Sequence, residues 1–207
     1  MRSLQQVFVW VTCPLVLQRL EHDLSLIGKQ ALLQGVSFPT LLGFGEAAAP
    51  AESGFESPLV LEEHALKLCK TPETSGFADK VATAFHTHCP NLDSKRLVIV
   101  SDEDFQFFVR HATQVSARIA LNDRKTTSGD GGNLWYEETL PPETVLYALL
   151  LANKPRTSAE DAALVDASKV MQWVRDLFPD GKSYLQVGGN ETVGQGWCQV
   201  HFAGETP

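Results

Sequence analysis

The 207-residue chain has no Cys-x-x-Cys pair, no apolar run long enough to cross a bilayer and no surplus of positive charge. Each lack bounds what the protein does. Its four cysteines, Cys13, Cys69, Cys89 and Cys198, stand singly, which argues against a zinc ribbon and leaves no need for a disulfide framework in so large a chain. A reducing, cytoplasmic setting is the simpler expectation. The longest continuous apolar stretch, Val145 to Ala152, is far short of a membrane span, so no membrane partner is expected. Near the start, Val7 to Val11 is apolar, but Gln5, Gln6 and Cys13-Pro14 interrupt it and no small-residue cleavage site follows, so it reads as a strand and not a signal peptide. The net charge of -8 counts against a freestanding nucleic-acid binder. A subunit that grips RNA within a larger assembly needs only a local basic strip.

What is present is ordinary globular composition, 43% hydrophobic and 20% charged, enough for one domain with a real core. Val7 to Thr12 is β-rich. Pro14 suits the first turn of a helix whose leucines 17, 20 and 24 recur at helical spacing. Residues 35–58 shift to Gly, Ala, Pro and Ser around Glu46 to Glu52 and read as a flexible loop. Pro58 to Leu68 can hold a strand and Phe77 to His86 a helix. Arg96 to Ser101 is a short apolar strand, after which Ser101 caps a helix with Phe105, Phe108 and Val109 on one face.

Thr113 to Leu121 alternates, with Val115, Ala117 and Ile119 against Ser116 and Arg118, the period of a half-buried strand. Residues 122–133 are polar and glycine-rich, a hairpin tip before the next strand, Leu134 to Leu140. Val145 to Ala152 reads as a buried central strand. Thr157 to Asp161 starts a long amphipathic helix through Val165, Val170, Trp173 and Leu177, ending near Pro179 to Gly181. The order of elements is α+β and compatible with a ferredoxin-like or RRM-like sheet.

Few residues suggest catalysis. Glu137 and Glu138 are adjacent on a strand and point to opposite faces, so they cannot act as one acid/base pair; one of them is expected to pair across the sheet. The histidines are scattered, without triad spacing. His86, His88 and Cys89 crowd together, yet no second pair of ligands is evident, and a surface turn ended by Pro90 accounts for them. The most informative segment is Leu185 to Val200, in which Gly188, Gly189, Asn190, Thr192, Gly194 and Gly196 lie between two short apolar strands. No Gly-Lys-Ser/Thr follows, which excludes a triphosphate loop, and the strand that follows excludes a dinucleotide fingerprint. A hairpin closing a sheet and a loop that admits a sugar-phosphate chain both remain open.

This glycine loop resembles the C-terminal signature of the RAMP superfamily, in particular the backbone subunits of type III-B CRISPR (Cmr) effector complexes. Arg2 to Leu20 resembles the mid-chain strand and helix of such subunits, and Leu134 to Tyr147 the strand pair after their thumb. The resemblance implies a single RAMP-type domain over residues 1–207, with the 122–133 tip as an inserted thumb hairpin that intercalates into a guide-target duplex. It implies guide RNA, target RNA, other Cmr-type subunits and copies of itself in a filament as partners, in antiviral defence. Arg118, Arg124 and Lys125 would then meet phosphate, and Gly188, Gly189, Asn190, Thr192, Gly194 and Gly196 would admit the RNA backbone. The family is similar to a metal-dependent endoribonuclease whose aspartate lies in an N-terminal region without counterpart here. The chain thus reads as the C-terminal two-thirds of such a subunit, from a truncated gene, an internal start at Met1 or a split protein. No catalytic residue, metal ligand or cofactor is assigned to it. The alternatives are a ribonuclease completed by a separately supplied N-terminal piece, or a non-functional fragment.

Overall fold

Four consecutive apolar residues, Leu97–Val100, form strand β5, and all four are buried. That requires cover on both faces of the sheet, and the surrounding elements supply it. In the computed structural model, which describes residues 1–29, 42–120, 134–155, 166–179 and 183–202, the chain divides into two compact units, Met1–Leu146 and Tyr147–Pro207.

In the first unit, β1 (Trp10–Thr12), β2 (Glu46–Ala48), β3 (Leu59–Leu61), β4 (His64–Leu68) and β5 make a five-stranded sheet of order β1-β5-β2-β4-β3. β1 runs parallel to β5 and β2 parallel to β4, while β2–β5 and β3–β4 are antiparallel. Strand alternation sends Val98 and Val100 to a cluster with Phe55, Leu59, Leu61, Leu66 and Phe108. Leu97 and Ile99 go to the other face, with Leu17, Phe77 and Val81.

The helices begin where their sequences provide caps. Pro14 opens α1 (Pro14–Leu26), which buries Leu17 and Leu24. Thr71 and Thr74 form a reciprocal capping box at the start of α2 (Pro72–His88). Ser101 Oγ accepts from the Asp104 amide at 3.0 Å and opens α3 (Asp102–His111). Asp104 is itself buried, and its carboxylate accepts from Ser101 Oγ at 2.6 Å and from the Gly45 amide at 2.8 Å, tying the entry of β2 to α3. After α3 come β6 (Gln114–Ile119) and β7 (Leu134–Thr139), a separate antiparallel ribbon. The described part of the second unit contains α4 (Ala167–Asp176), capped by Asp166, and the antiparallel pair β8 (Tyr184–Gln186) and β9 (Trp197–Gln199).

The α+β order expected from the sequence holds, with four corrections. Residues 35–58 are not loop throughout: Glu46–Ala48 is an internal strand, with Ala47 and Ala48 buried between β5 and β4. Residues 58–68 form two strands of a hairpin that turns at Glu62, which takes a left-handed φ of 52°. Val109 does not share the buried face of Phe108; it is exposed, because the helix turns it away from the sheet. Val145 to Ala152 is no strand, and Val145, Leu146, Tyr147, Leu150 and Leu151 are exposed. Among the described residues no strand pairs with it, so its apolar character is not matched by a ladder. The expected helix start at 157–161 lies outside the described residues, while the helix ends at Asp176, just ahead of Pro179 near which its end was expected.

Candidate nucleic-acid interface

The β6–β7 ribbon carries the first group of expected contacts. Its register pairs Ile119 with Leu134, Arg118 with Trp135, Ala117 with Tyr136, Ser116 with Glu137 and Val115 with Glu138. Residues directly opposite share a face, so Val115, Ala117, Ile119, Leu134, Tyr136 and Glu138 stand on one side and Ser116, Arg118, Trp135 and Glu137 on the other. The apolar side was expected to be half-buried. It is exposed instead, with Val115 at 61% and Ile119 at 56%, since no residue of the ribbon is buried.

The polar side is organised around one carboxylate. Arg118 Nε donates to Glu137 Oε2 at 3.1 Å, and Trp135 Nε1 donates to Glu137 Oε1 at 2.9 Å. Glu137 is thus the glutamate that pairs across the ribbon, while Glu138 on the opposite face accepts from the Thr113 hydroxyl. Trp135 is a third member of this group that no sequence motif marks. Period-two alternation from Glu137 places it on the same face, but its position opposite Arg118 depends on the register of the two strands. The tip itself, with Arg124, Lys125 and Asp123, lies outside the described residues.

The second unit holds the glycine loop, and in it Gly188, Gly189, Asn190, Thr192 and Gly194 are exposed while Gly196 is half-buried. Its shape is fixed from within. The amides of Val193 and Gln195 donate to Asn190 O at 3.1 and 3.2 Å, and the Gly194 amide to Glu191 O at 2.9 Å. Gln186 Nε2 braces the loop by donating to Gly188 O at 3.1 Å, and Val187 N donates to Gly196 O at 2.8 Å. Gly196 is obligatory: φ is +77°, and a Cβ there would lie 2.0 Å from Val187 O. The structure therefore brings the loop residues together in the second unit and sets Arg118 in the first. Because the amides of residues 193 to 195 are already used, the loop offers close approach to its exposed backbone more than a full cradle of donors.

The other candidate groups are placed as structural features. His86, in the last turns of α2, has Nδ1 3.0 Å from Leu92 O. Cys13, Cys69, Cys89 and Cys198 are all free thiols. Among the described residues no three His, Cys, Asp or Glu side chains group to hold a metal ion, and no helix is long and apolar enough to cross a membrane.

Residues 20–199 match the model of the RAMP superfamily. The chain is 36% identical over 203 residues to the CRISPR system Cmr endoribonuclease Cmr4 of Pyrococcus furiosus, covering 96% of this chain and 63% of that protein. Among solved structures, it is similar to oligomeric Cmr4 from Pyrococcus furiosus, with a TM-score of 0.59, 26% identity in the structural match, and 95% of this chain against 65% of that one. It is also similar to a chain in the type III-B Cmr-beta complex bound to cognate target RNA, with a TM-score of 0.61 and coverage of 95% and 61%. At 16% identity the latter likeness concerns the fold, and with the Cmr4 structure it shows the α+β architecture to be of the expected RAMP type. The chain spans just under two thirds of the length of these relatives.

Proposed function

The chain belongs to the RAMP superfamily, and from that premise we propose that it is an RNA-binding backbone subunit of a type III-B CRISPR ribonucleoprotein in antiviral defence. In this role it holds guide RNA and target RNA in the cytoplasm, beside other Cmr-type subunits and copies of itself, as one RAMP-type domain. The observation that carries the reading is the 36% identity to Cmr4 running through 96% of this chain. The local chemistry supports it. An exposed ribbon with Trp135 and Tyr136 on opposite faces offers flat rings to bases. Arg118, with Arg124 and Lys125 at the tip, offers charge to phosphate, and the glycines of the Gly188–Gly196 loop let a ribose-phosphate chain approach the backbone closely.

A second reading, ribonuclease activity, is favoured by the name of the Pyrococcus relative, an endoribonuclease. Here the cleaving aspartate comes from polypeptide equivalent to the part of the relative that this chain does not span. The divalent metal that the family implies finds no fitting donor set among the described residues, so the reading assigns this chain the holding of RNA and no step through a metal.

Binding of single-stranded RNA to the purified chain, followed by fluorescence anisotropy across a salt series, tests the RNA-binding role. Changing Arg118, Arg124 and Lys125 together to glutamine is expected to weaken binding by about tenfold or more and to flatten the salt slope by at least about 1.4. Binding that ignores salt, or that the triple substitution leaves unchanged, would overturn the reading.

A further inference from the structure

Resting on that RNA-binding role, we infer that Glu137 is an electrostatic latch on Arg118 that keeps the β6–β7 hairpin from gripping RNA loosely, and so determines its selectivity. The geometry is specific. Arg118 faces Trp135 across the ribbon, and Glu137 stands two residues farther along β7 on the same face. One Glu137 oxygen takes the Arg118 Nε–H at 3.1 Å and the other takes the Trp135 indole N–H at 2.9 Å. The carboxylate is therefore held from two sides. Its side chain is 23% exposed and that of Arg118 37%, shielded enough to strengthen the pair and open enough for a phosphate to reach it.

Charge gives the arrangement its effect. The described strands of the ribbon carry one cation, Arg118, against two carboxylates, Glu137 and Glu138. With Arg118 paired to Glu137, the described strands offer a phosphodiester no unpaired cation, and a phosphate that takes the guanidinium fully must displace the carboxylate from Nε. An RNA held in register by other contacts presents its phosphate at high local concentration and displaces Glu137. A loosely bound RNA does not. The partly exposed ion pair adds little to folding, so its effect falls on recognition.

The test uses the full chain and single-stranded oligouridylate, with affinity read by anisotropy over a salt series. Glu137→Gln is expected to bind roughly three- to tenfold tighter, with a salt slope steeper by about 0.7, because one more cation meets phosphate. Trp135→Phe keeps an aromatic ring but removes the indole donor, and is expected to shift affinity in the same direction by less. In an Arg118→Gln background the Glu137→Gln change should bring a smaller gain, since only the repulsion of the lost carboxylate is removed, and a gain as large as in the unaltered chain would overturn the latch. Equal or weaker binding by Glu137→Gln, while the unaltered chain binds, would overturn the latch and leave the RNA-binding role standing. No salt-sensitive binding by any form would overturn both. If Glu137→Gln melts the ribbon, Trp135→Phe decides, and an unchanged affinity there overturns the latch.

Discussion

The five-stranded sheet and the β6–β7 ribbon lie in the same unit yet treat their apolar side chains in opposite ways. Every residue of β5 is buried, and Phe55, Leu59, Leu61 and Leu66 around it are almost fully removed from water. No residue of the ribbon is buried, although Val115, Ile119, Leu134, Trp135 and Tyr136 are as apolar as those of the sheet. The sheet is specified by packing and the ribbon by backbone pairing and a few side-chain bonds. The first arrangement resists substitution, and the second leaves large apolar and aromatic surfaces available to a partner.

The largest expected effect breaks the packed side of this contrast. Phe55→Ala, at a side chain 1% exposed, should cost about 3–5 kcal/mol in chemical denaturation. A loss below about 1 kcal/mol would mean that the sheet is not held by that cluster. Next comes the glycine loop, where the contrast recurs within one turn. Gly196→Ala forces a Cβ onto Val187 O at a left-handed φ and should cost about 2 kcal/mol, whereas Gly189→Ala meets open space and should change stability by under about 0.5 kcal/mol. Equal effects at the two sites would contradict the loop geometry. Ser101→Ala removes the α3 cap and should cost about 1 kcal/mol, measured in the same way.

A pH series sharpens the packed side further. Burial, with the Asp102 carboxylate adding to it, lifts the Cys13 thiol from an ordinary value near 9 to about 11. The folded state favours the protonated thiol, so this contribution is complete below about pH 9 and is lost as pH rises through about 11. The denaturation midpoint should fall over that window, and Cys13→Ala should remove that part of the fall. The smallest effect belongs to the ribbon. Ile119→Ala, at a side chain 56% exposed, should change stability by under about 0.5 kcal/mol. A large loss there would show the exposed face to be packed.

The same contrast explains what the sequence disclosed. The run from Leu97 to His111 was legible because a continuous apolar strand, a serine cap and an amphipathic helix agree with one another. β2 was hidden because Glu46-Ala47-Ala48 has the composition of a loop. Its strand state comes from fitting small side chains between β5 and β4, a tertiary demand with no local signal. Val145 to Ala152 failed in the opposite sense: its composition announces a buried strand, but burial needs a partner, and the described residues provide none. At the candidate interface, alternation disclosed that Glu137 and Glu138 diverge and that Arg118 lies on a polar face. It could not disclose that Arg118, Trp135 and Glu137 form one bonded group, because that depends on hairpin register.

The most direct test of the account is to co-express the chain, tagged, with Cmr-type subunits and a repeat-bearing guide RNA, purify through the tag and sequence the RNA recovered. Guide RNA recovered in a large particle is the predicted result. The chain recovered alone, with no RNA and no other subunit, would contradict its proposed role as an RNA-holding backbone subunit.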